Sequence, residues 1–120
     1  MHAPGSSAPA RRGQQWWLGA LVAGAALVAF LPCAANEFLW DDEQFIVKNA
    51  YLSSPALLGR LVRENIVAGA GLVSNLYRPV QSLTHFVDVQ LWGVQPAPHH
   101  LMNVGFHAAL AAALWAVLAR

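Results

Sequence analysis

Hydrophobic and polar positions alternate on a coarse scale along this chain. Residues 16–35 hold no charged side chain. About 20 such residues, at about 1.5 Å of helical rise each, cross the roughly 30 Å hydrocarbon core of a bilayer. Trp16 and Trp17 stand at the start of the run, where interfacial aromatics belong. A second charge-free run covers residues 89–119, interrupted by Pro96 and Pro98. Proline removes a backbone donor and restricts the preceding residue, so the beginning of this run reads as a turn and residues 101–118 as its membrane part.

The pattern between the runs is finer. Ser54-Pro55 supplies an N-cap and a proline at the first helical position. Leu57, Leu58, Leu61 and Val62 then share a face opposite Arg60, Arg63 and Glu64, which predicts a short amphipathic helix. Pro79 opens a second one, with Val80, Leu83, Val87 and Leu91 on its apolar face and Gln81, Thr84, His85 and Asp88 elsewhere. Both helices suit the plane of a membrane surface. His85 and Asp88, one turn apart, read as a solvated face. Phe45-Ile46-Val47 is too short to carry a sheet. The expected architecture is an all-α membrane protein: a disordered cytoplasmic tail (1–15), a first span (16–35), an outer loop (36–98) and a second span (99–120).

Composition agrees with a membrane. The chain has 120 residues, 57% hydrophobic and only 11% charged, against about 25% charged in a soluble domain. The net charge of +1, with Lys and Arg scattered, argues against a nucleic-acid footprint. A single cysteine, Cys33, excludes an internal disulfide and a cysteine-based zinc site. Arg11 and Arg12 precede the first span while Glu37, Asp41, Asp42 and Glu43 follow it. The positive-inside rule therefore puts the N-terminus in the cytoplasm and the loop on the outer, periplasmic, extracellular or lumenal side. Arg120 after the second run agrees with that orientation. A cleaved secretory signal is the rival reading of residues 1–35, but the apolar run exceeds the 7–15 residues of a usual signal core.

Three groups could carry chemistry. Asp41, Asp42 and Glu43 are close carboxylates at the membrane surface. They either share a proton or hold a divalent cation, unless they are a solvated charge run at a helix exit. Arg78, beside Pro79, precedes a helix start whose free N–H groups add to anion affinity; it binds a phosphate or lies among lipid head groups. His99, His100, Asn103 and His107 make the third group, in which His100, Asn103 and His107 stand at i, i+3 and i+7 and so share one helix face. They line a cavity, bind a metal or join helices through hydrogen bonds. The segment from His99 to Asn103 lacks the acid and spacing of a zincin.

These groups occur in a recognisable order: Phe38-Leu39-Trp40-Asp41-Asp42, Ile46, Asn49, Tyr77-Arg78-Pro79-Val80, Leu91-Trp92-Gly93, Pro96, His100, Asn103 and His107. Over its last two thirds the chain resembles the N-terminal part of a polytopic glycosyltransferase of the GT-C class. The likeness is to the membrane domain of the tetratricopeptide-repeat O-mannosyltransferase-like proteins and their bacterial relatives. The resemblance implies a partial GT-C fold and transfer of a sugar from a polyprenyl-phosphate donor to a hydroxyl of a protein or glycan acceptor. It makes Asp41 or Asp42 the catalytic base and Arg78 the donor-phosphate ligand, with Glu43, His100, Asn103 and His107 lining the cavity. Asp42 stands where protein O-mannosyltransferases have the Glu of an Asp-Glu motif, so both aspartates remain candidates. The implied fold needs more spans than two, and the tetratricopeptide repeats are absent from this sequence. The chain thus reads as a fragment that is inactive alone, with a small non-catalytic two-span assembly protein as the alternative.

Overall fold

A computed structural model describes residues 16–119. The expected cytoplasmic tail, Arg11, Arg12 and Arg120 lie outside the described residues. Among the described residues there are helices and irregular segments and no strand. The chain divides into two compact units: residues 16–31 with 103–119, and Pro32–Met102.

Helix α1 (Trp16–Phe30) continues as a 3-10 segment through Leu31–Ala35. The change of winding coincides with Pro32, which cannot donate to an α-helical bond. At about 1.5 Å and 2.0 Å of rise per residue, the two pieces together span roughly 32 Å. The other long helix, Pro96–Leu118, has 23 residues, about 34 Å at the same α-helical rise. Both are long and apolar enough to cross a membrane. Most of their large apolar side chains, among them Leu21, Val28, Phe106, Leu110 and Val117, are exposed. In water that surface would be costly, whereas lipid is as apolar as the side chains. Within the first unit, Gly19 is buried against Trp115, and a Cβ at Gly19 would come within 2.8 Å of the indole ring. The small residue therefore permits close approach of two apolar helices, as small residues do in membranes.

The Pro96–Leu118 helix begins earlier than the two prolines suggest. Pro96 and Pro98 occupy its first turn, where backbone N–H groups have no partner inside a helix, so their missing donors cost nothing. The expected turn before residue 99 is part of the helix.

The second unit has a small core of Phe45, Ile46, Tyr51, Leu52, Leu61, Ile66 and Val67. A π-helical turn, Glu43–Val47, contributes Phe45 and Ile46, and 3-10 turns at Ala50–Ser53 and Pro55–Leu57 lead into the short helix α2 (Leu58–Leu61). Ser54 caps the Pro55 turn by accepting from the Ala56 N–H at 3.3 Å. Asn49 staples this unit together. Its buried carboxamide donates to the carbonyls of Phe45 and Ile66, both at 3.1 Å, and accepts from the Tyr51 N–H at 3.1 Å. A Cβ at Gly69 would overlap the Asn49 carboxamide oxygen, so only glycine lets the two segments meet.

Helix α3 (Pro79–Trp92) lies against that core through Phe86 and Val89. Gln90 adds a tie by donating to the Leu52 carbonyl at 2.8 Å. Pro79 occupies the first turn, and Gly93 ends the helix with φ 71°, a conformation open to glycine. The long helix after it is α4 (Pro96–Leu118).

Candidate functional site

On α3 the expectation that fails is the one for its polar face. Val80, Leu83, Val87 and Leu91 share a face, as their spacing requires, but that face is exposed. The opposite face is polar and buried: Ser82, His85 and Asp88 are 2%, 8% and 4% exposed. The reading of His85 and Asp88 as a solvated face is therefore wrong. Apolar-inside patterning assumes water outside, and beside a lipid phase an exposed apolar face is equally stable.

Side chains link this buried face to the exposed start of the helix. Arg78 donates through Nη1 to Gln81 Oε1 at 3.3 Å. With its oxygen so engaged, Gln81 turns its amide nitrogen toward His85 Nε2, 3.4 Å away. Arg78, Gln81, His85 and Asp88 follow at offsets of three, seven and ten residues, the repeat that keeps one helix face. His99, from the first turn of α4, closes the cluster: its Nδ1 lies 3.6 Å from Asp88 Oδ2, and it is 2% exposed. Its other nitrogen, Nε2, meets the Gly93 carbonyl at 3.2 Å. A carbonyl only accepts, so Nε2 carries the proton in that bond. The positive φ of Gly93 thus has a consequence for the site, since it sets the carbonyl that orients His99.

The electrostatics follow from burial. Desolvation holds the His85 imidazole below its ordinary pKa, helped by His99 and opposed by the negative field of Asp42. The Asp88 carboxyl is pushed above its ordinary range by burial, with His99 pulling the other way. Asp42 is thus close enough to His85 to act on its charge, and the π-helical turn that follows Asp42 packs on α3.

The acidic segment itself is shaped by Trp40, whose φ of 49° is left-handed and unusual for a bulky residue. This turn starts the helical segment that presents Asp41, which is exposed, and Asp42, which is half-buried and accepts from the Leu39 N–H at 3.3 Å. Trp40 itself is 91% exposed. Glu43 pairs with Lys48 at 3.2 Å on the surface.

The remaining sequence-derived candidates separate. His100 is half-buried beside Phe38, with ring centroids 6.1 Å apart, and its Nε2 is buried without a hydrogen-bond partner. Asn103 and His107 are exposed on the part of α4 that belongs to the first unit, where His107 packs edge-on against Phe30 at 4.4 Å. Thus Arg78 bonds to Gln81 and Asp42 acts on His85, one turn further along α3, while Asn103 and His107 belong to different surroundings. His85 and Asp88 are the site residues that sequence reasoning missed, whereas His99 already belonged to the third candidate group. The i, i+3 spacing of His85 and Asp88 was a visible signal, but their partner lies beyond the Gly93 turn.

No family model and no solved structure matches the chain. Among curated proteins it is similar to protein O-mannosyl-transferase TMTC4 of Homo sapiens, 30% identical over 100 residues that cover 79% of the chain and 13% of that protein. Against protein O-mannosyl-transferase TMTC1 of Homo sapiens the identity is 32% over 92 residues, covering 73% of the chain and 10% of that protein. Protein O-mannosyl-transferase F38B6.6 of Caenorhabditis elegans is 23% identical over 109 residues, covering 87% of the chain and 16% of that protein. The chain therefore spans a small part of the length of the curated relatives it matches. With two membrane-length apolar helices and this relationship along most of its length, the chain is an integral membrane protein related to the protein O-mannosyl-transferases.

Proposed function

We propose that this stretch is the donor-phosphate and acid-bearing part of a membrane glycosyltransferase of the GT-C class. The reaction is transfer of a sugar from a polyprenyl-phosphate carrier to a hydroxyl of a protein or glycan acceptor. The names of the curated relatives make mannose the first sugar to test. The observation that carries the reading is the polar face of α3, where Arg78 at one end joins through Gln81 to His85, on which Asp42 also acts.

Each residue has a chemical task in this reading. Arg78, at the start of α3, offers a planar guanidinium to the carrier phosphate, and the free N–H groups of the first turn add to the attraction. Asp41 or Asp42, ionised, takes the proton from the acceptor hydroxyl as it attacks the sugar carbon. Positive charge at the phosphate favours its departure as the bond to the sugar breaks. Glu43 and His100 border the same loop, while Asn103 and His107 belong to the second span. The loop faces the outer side of the membrane, with the N-terminus cytoplasmic, as the positive-inside distribution of Arg11 and Arg12 supports. Two spans do not enclose a polyprenyl chain, so this stretch by itself is expected to bind donor without transferring sugar.

The test is donor binding by the chain in lipid nanodiscs. Undecaprenyl or dolichyl phosphate should bind more tightly than the corresponding alcohol, and Arg78→Ala should reduce the phosphate's advantage by about 10-fold or more, the loss expected of one charge-assisted contact. Equal binding of phosphate and alcohol by the unaltered chain would contradict the assignment.

A further inference from the structure

We propose that His85, Asp88 and His99 form a buried binding site for a divalent transition metal of the zinc class. The inference stands apart from sugar transfer and would survive its failure. One ligand atom from each residue lies within 4.8 Å of the others, and all three side chains are buried. Two imidazoles and one carboxylate are a donor set suited to zinc, and three protein ligands leave a fourth position open.

The decisive detail is the state of His99. Its Nε2 donates to the Gly93 carbonyl, so in the neutral ring Nδ1 carries a lone pair. Nδ1 is buried, has no hydrogen-bond partner and faces Asp88 Oδ2 at 3.6 Å. A lone pair turned toward a carboxylate oxygen is unfavourable unless a positive centre lies between them. A histidine that donates one ring nitrogen to a backbone carbonyl and presents the other inward is also held as metal-bound histidines ordinarily are.

The neighbouring groups fit the same picture. Asp88 has no cation of its own on α3, where Arg78 engages Gln81 instead. The contact between Gln81 and His85 is long at 3.4 Å and can yield to a stronger bond. Tetrahedral ligands at about 2.0–2.1 Å from an ion stand roughly 3.4 Å apart, so binding draws in the widest pair by on the order of 1 Å. Phe38 covers the site from one side, edge-on to His99 with ring centroids 5.4 Å apart, which limits water and strengthens the metal's hold on its carboxylate.

The experiment uses the full chain purified in detergent without a histidine tag, stripped with a chelator and titrated with zinc chloride against a competing chelating dye. Elemental analysis after desalting should find about one zinc per chain. His85→Ala, Asp88→Asn and His99→Ala should each weaken binding by at least the roughly 10- to 100-fold that loss of a supporting contact costs a metal site. His100→Ala and His107→Ala should leave the affinity unchanged. Cobalt(II) should give visible ligand-field bands that vanish in the same three variants. Asp88→Asn is nearly isosteric and keeps the test valid if a histidine variant fails to fold. Absence of stoichiometric zinc, unchanged affinity in Asp88→Asn, or loss of binding only on changing His100 or His107 would overturn the proposal, the last revealing adventitious surface chelation.

Discussion

His99 Nδ1 and Asp88 Oδ2 face each other across 3.6 Å, both in buried side chains, on helices separated by the Gly93 turn. This pairing converts the polar side of α3 from a surface into an interior. The burial of Asp88 fixes the sign of a pH effect. The Asp88 pKa is raised in the folded chain, so the folded state keeps its proton to higher pH than the unfolded state does. Ionisation therefore costs stability as pH rises from the ordinary carboxylate range through the raised value, and the full cost is present above it. In metal-free protein, Asp88→Asn should raise the Tm at neutral pH, the more so because an amide N–H can donate to His99 Nδ1. The gain should shrink as pH falls into the carboxylate range. A lower Tm at neutral pH would contradict this, showing that the Asp88 carboxylate stabilises the folded chain.

Asn49 and Gly69 should behave as one device. Asn49→Ala leaves the Phe45 and Ile66 carbonyls and the Tyr51 N–H without their partner, and Gly69→Ala pushes a methyl group into the Asn49 carboxamide. Unsatisfied buried groups cost about 1–3 kcal/mol each, so Asn49→Ala should destabilise the chain by at least about 2 kcal/mol in denaturant titration. The double variant should cost less than the sum of the two singles, because each removes the same contact.

Gly19 and Trp115 make a second coupled pair, within the first unit. Gly19→Val places side-chain atoms where the indole ring lies, so it should destabilise the packing by about 1–3 kcal/mol, the usual range for overpacking. Trp115→Ala in the same chain should restore part of the loss. Independent effects in a double-mutant cycle would show that the two side chains do not meet.

The outward face of α3 should touch lipid. With Cys33 replaced by Ser, a spin label at Leu83→Cys or Val87→Cys should collide more readily with oxygen, which concentrates in lipid, than with a water-soluble nickel chelate. Labels on Arg63→Cys, on the exposed side of the loop, should show the opposite ranking. Equal nickel accessibility at all of these positions would place the α3 face in water.

Particular residues show what the sequence could disclose. The two long helices were legible because charge-free runs of membrane length have few other uses, and Pro79 marked the start of α3 because proline fits a first turn. The apolar stripe of α3 was legible too, but the burial of its polar face was not. Periodicity separates two faces without saying which one meets the protein, and the usual rule presumes water as solvent. Arg78 and Asp42 could be singled out as charges near a membrane surface, whereas the approach of Asp42 to His85 depends on the turn at Trp40 and on core contacts of Phe45 and Ile46. The bond between Gly93 and His99 was hidden because it depends on a positive φ that glycine permits and does not require. The prolines in the first turn of α4 pointed to a turn, since the exemption for unpaired N–H groups applies only once the helix start is known.

The Arg78 end of α3 is the proposed seat of a lipid-linked phosphate. The most direct measurement is photocrosslinking of the reconstituted chain with a polyprenyl phosphate bearing its photoreactive group next to the phosphate, followed by mass-spectrometric mapping. The account predicts labels concentrated around Arg78, Gln81 and the Asp41-Asp42 segment. They should be competed by unlabelled polyprenyl phosphate but not by the alcohol, and reduced about 10-fold or more in Arg78→Ala. Labels confined to the apolar surfaces of α1 and α4, competed equally by phosphate and alcohol, would contradict it.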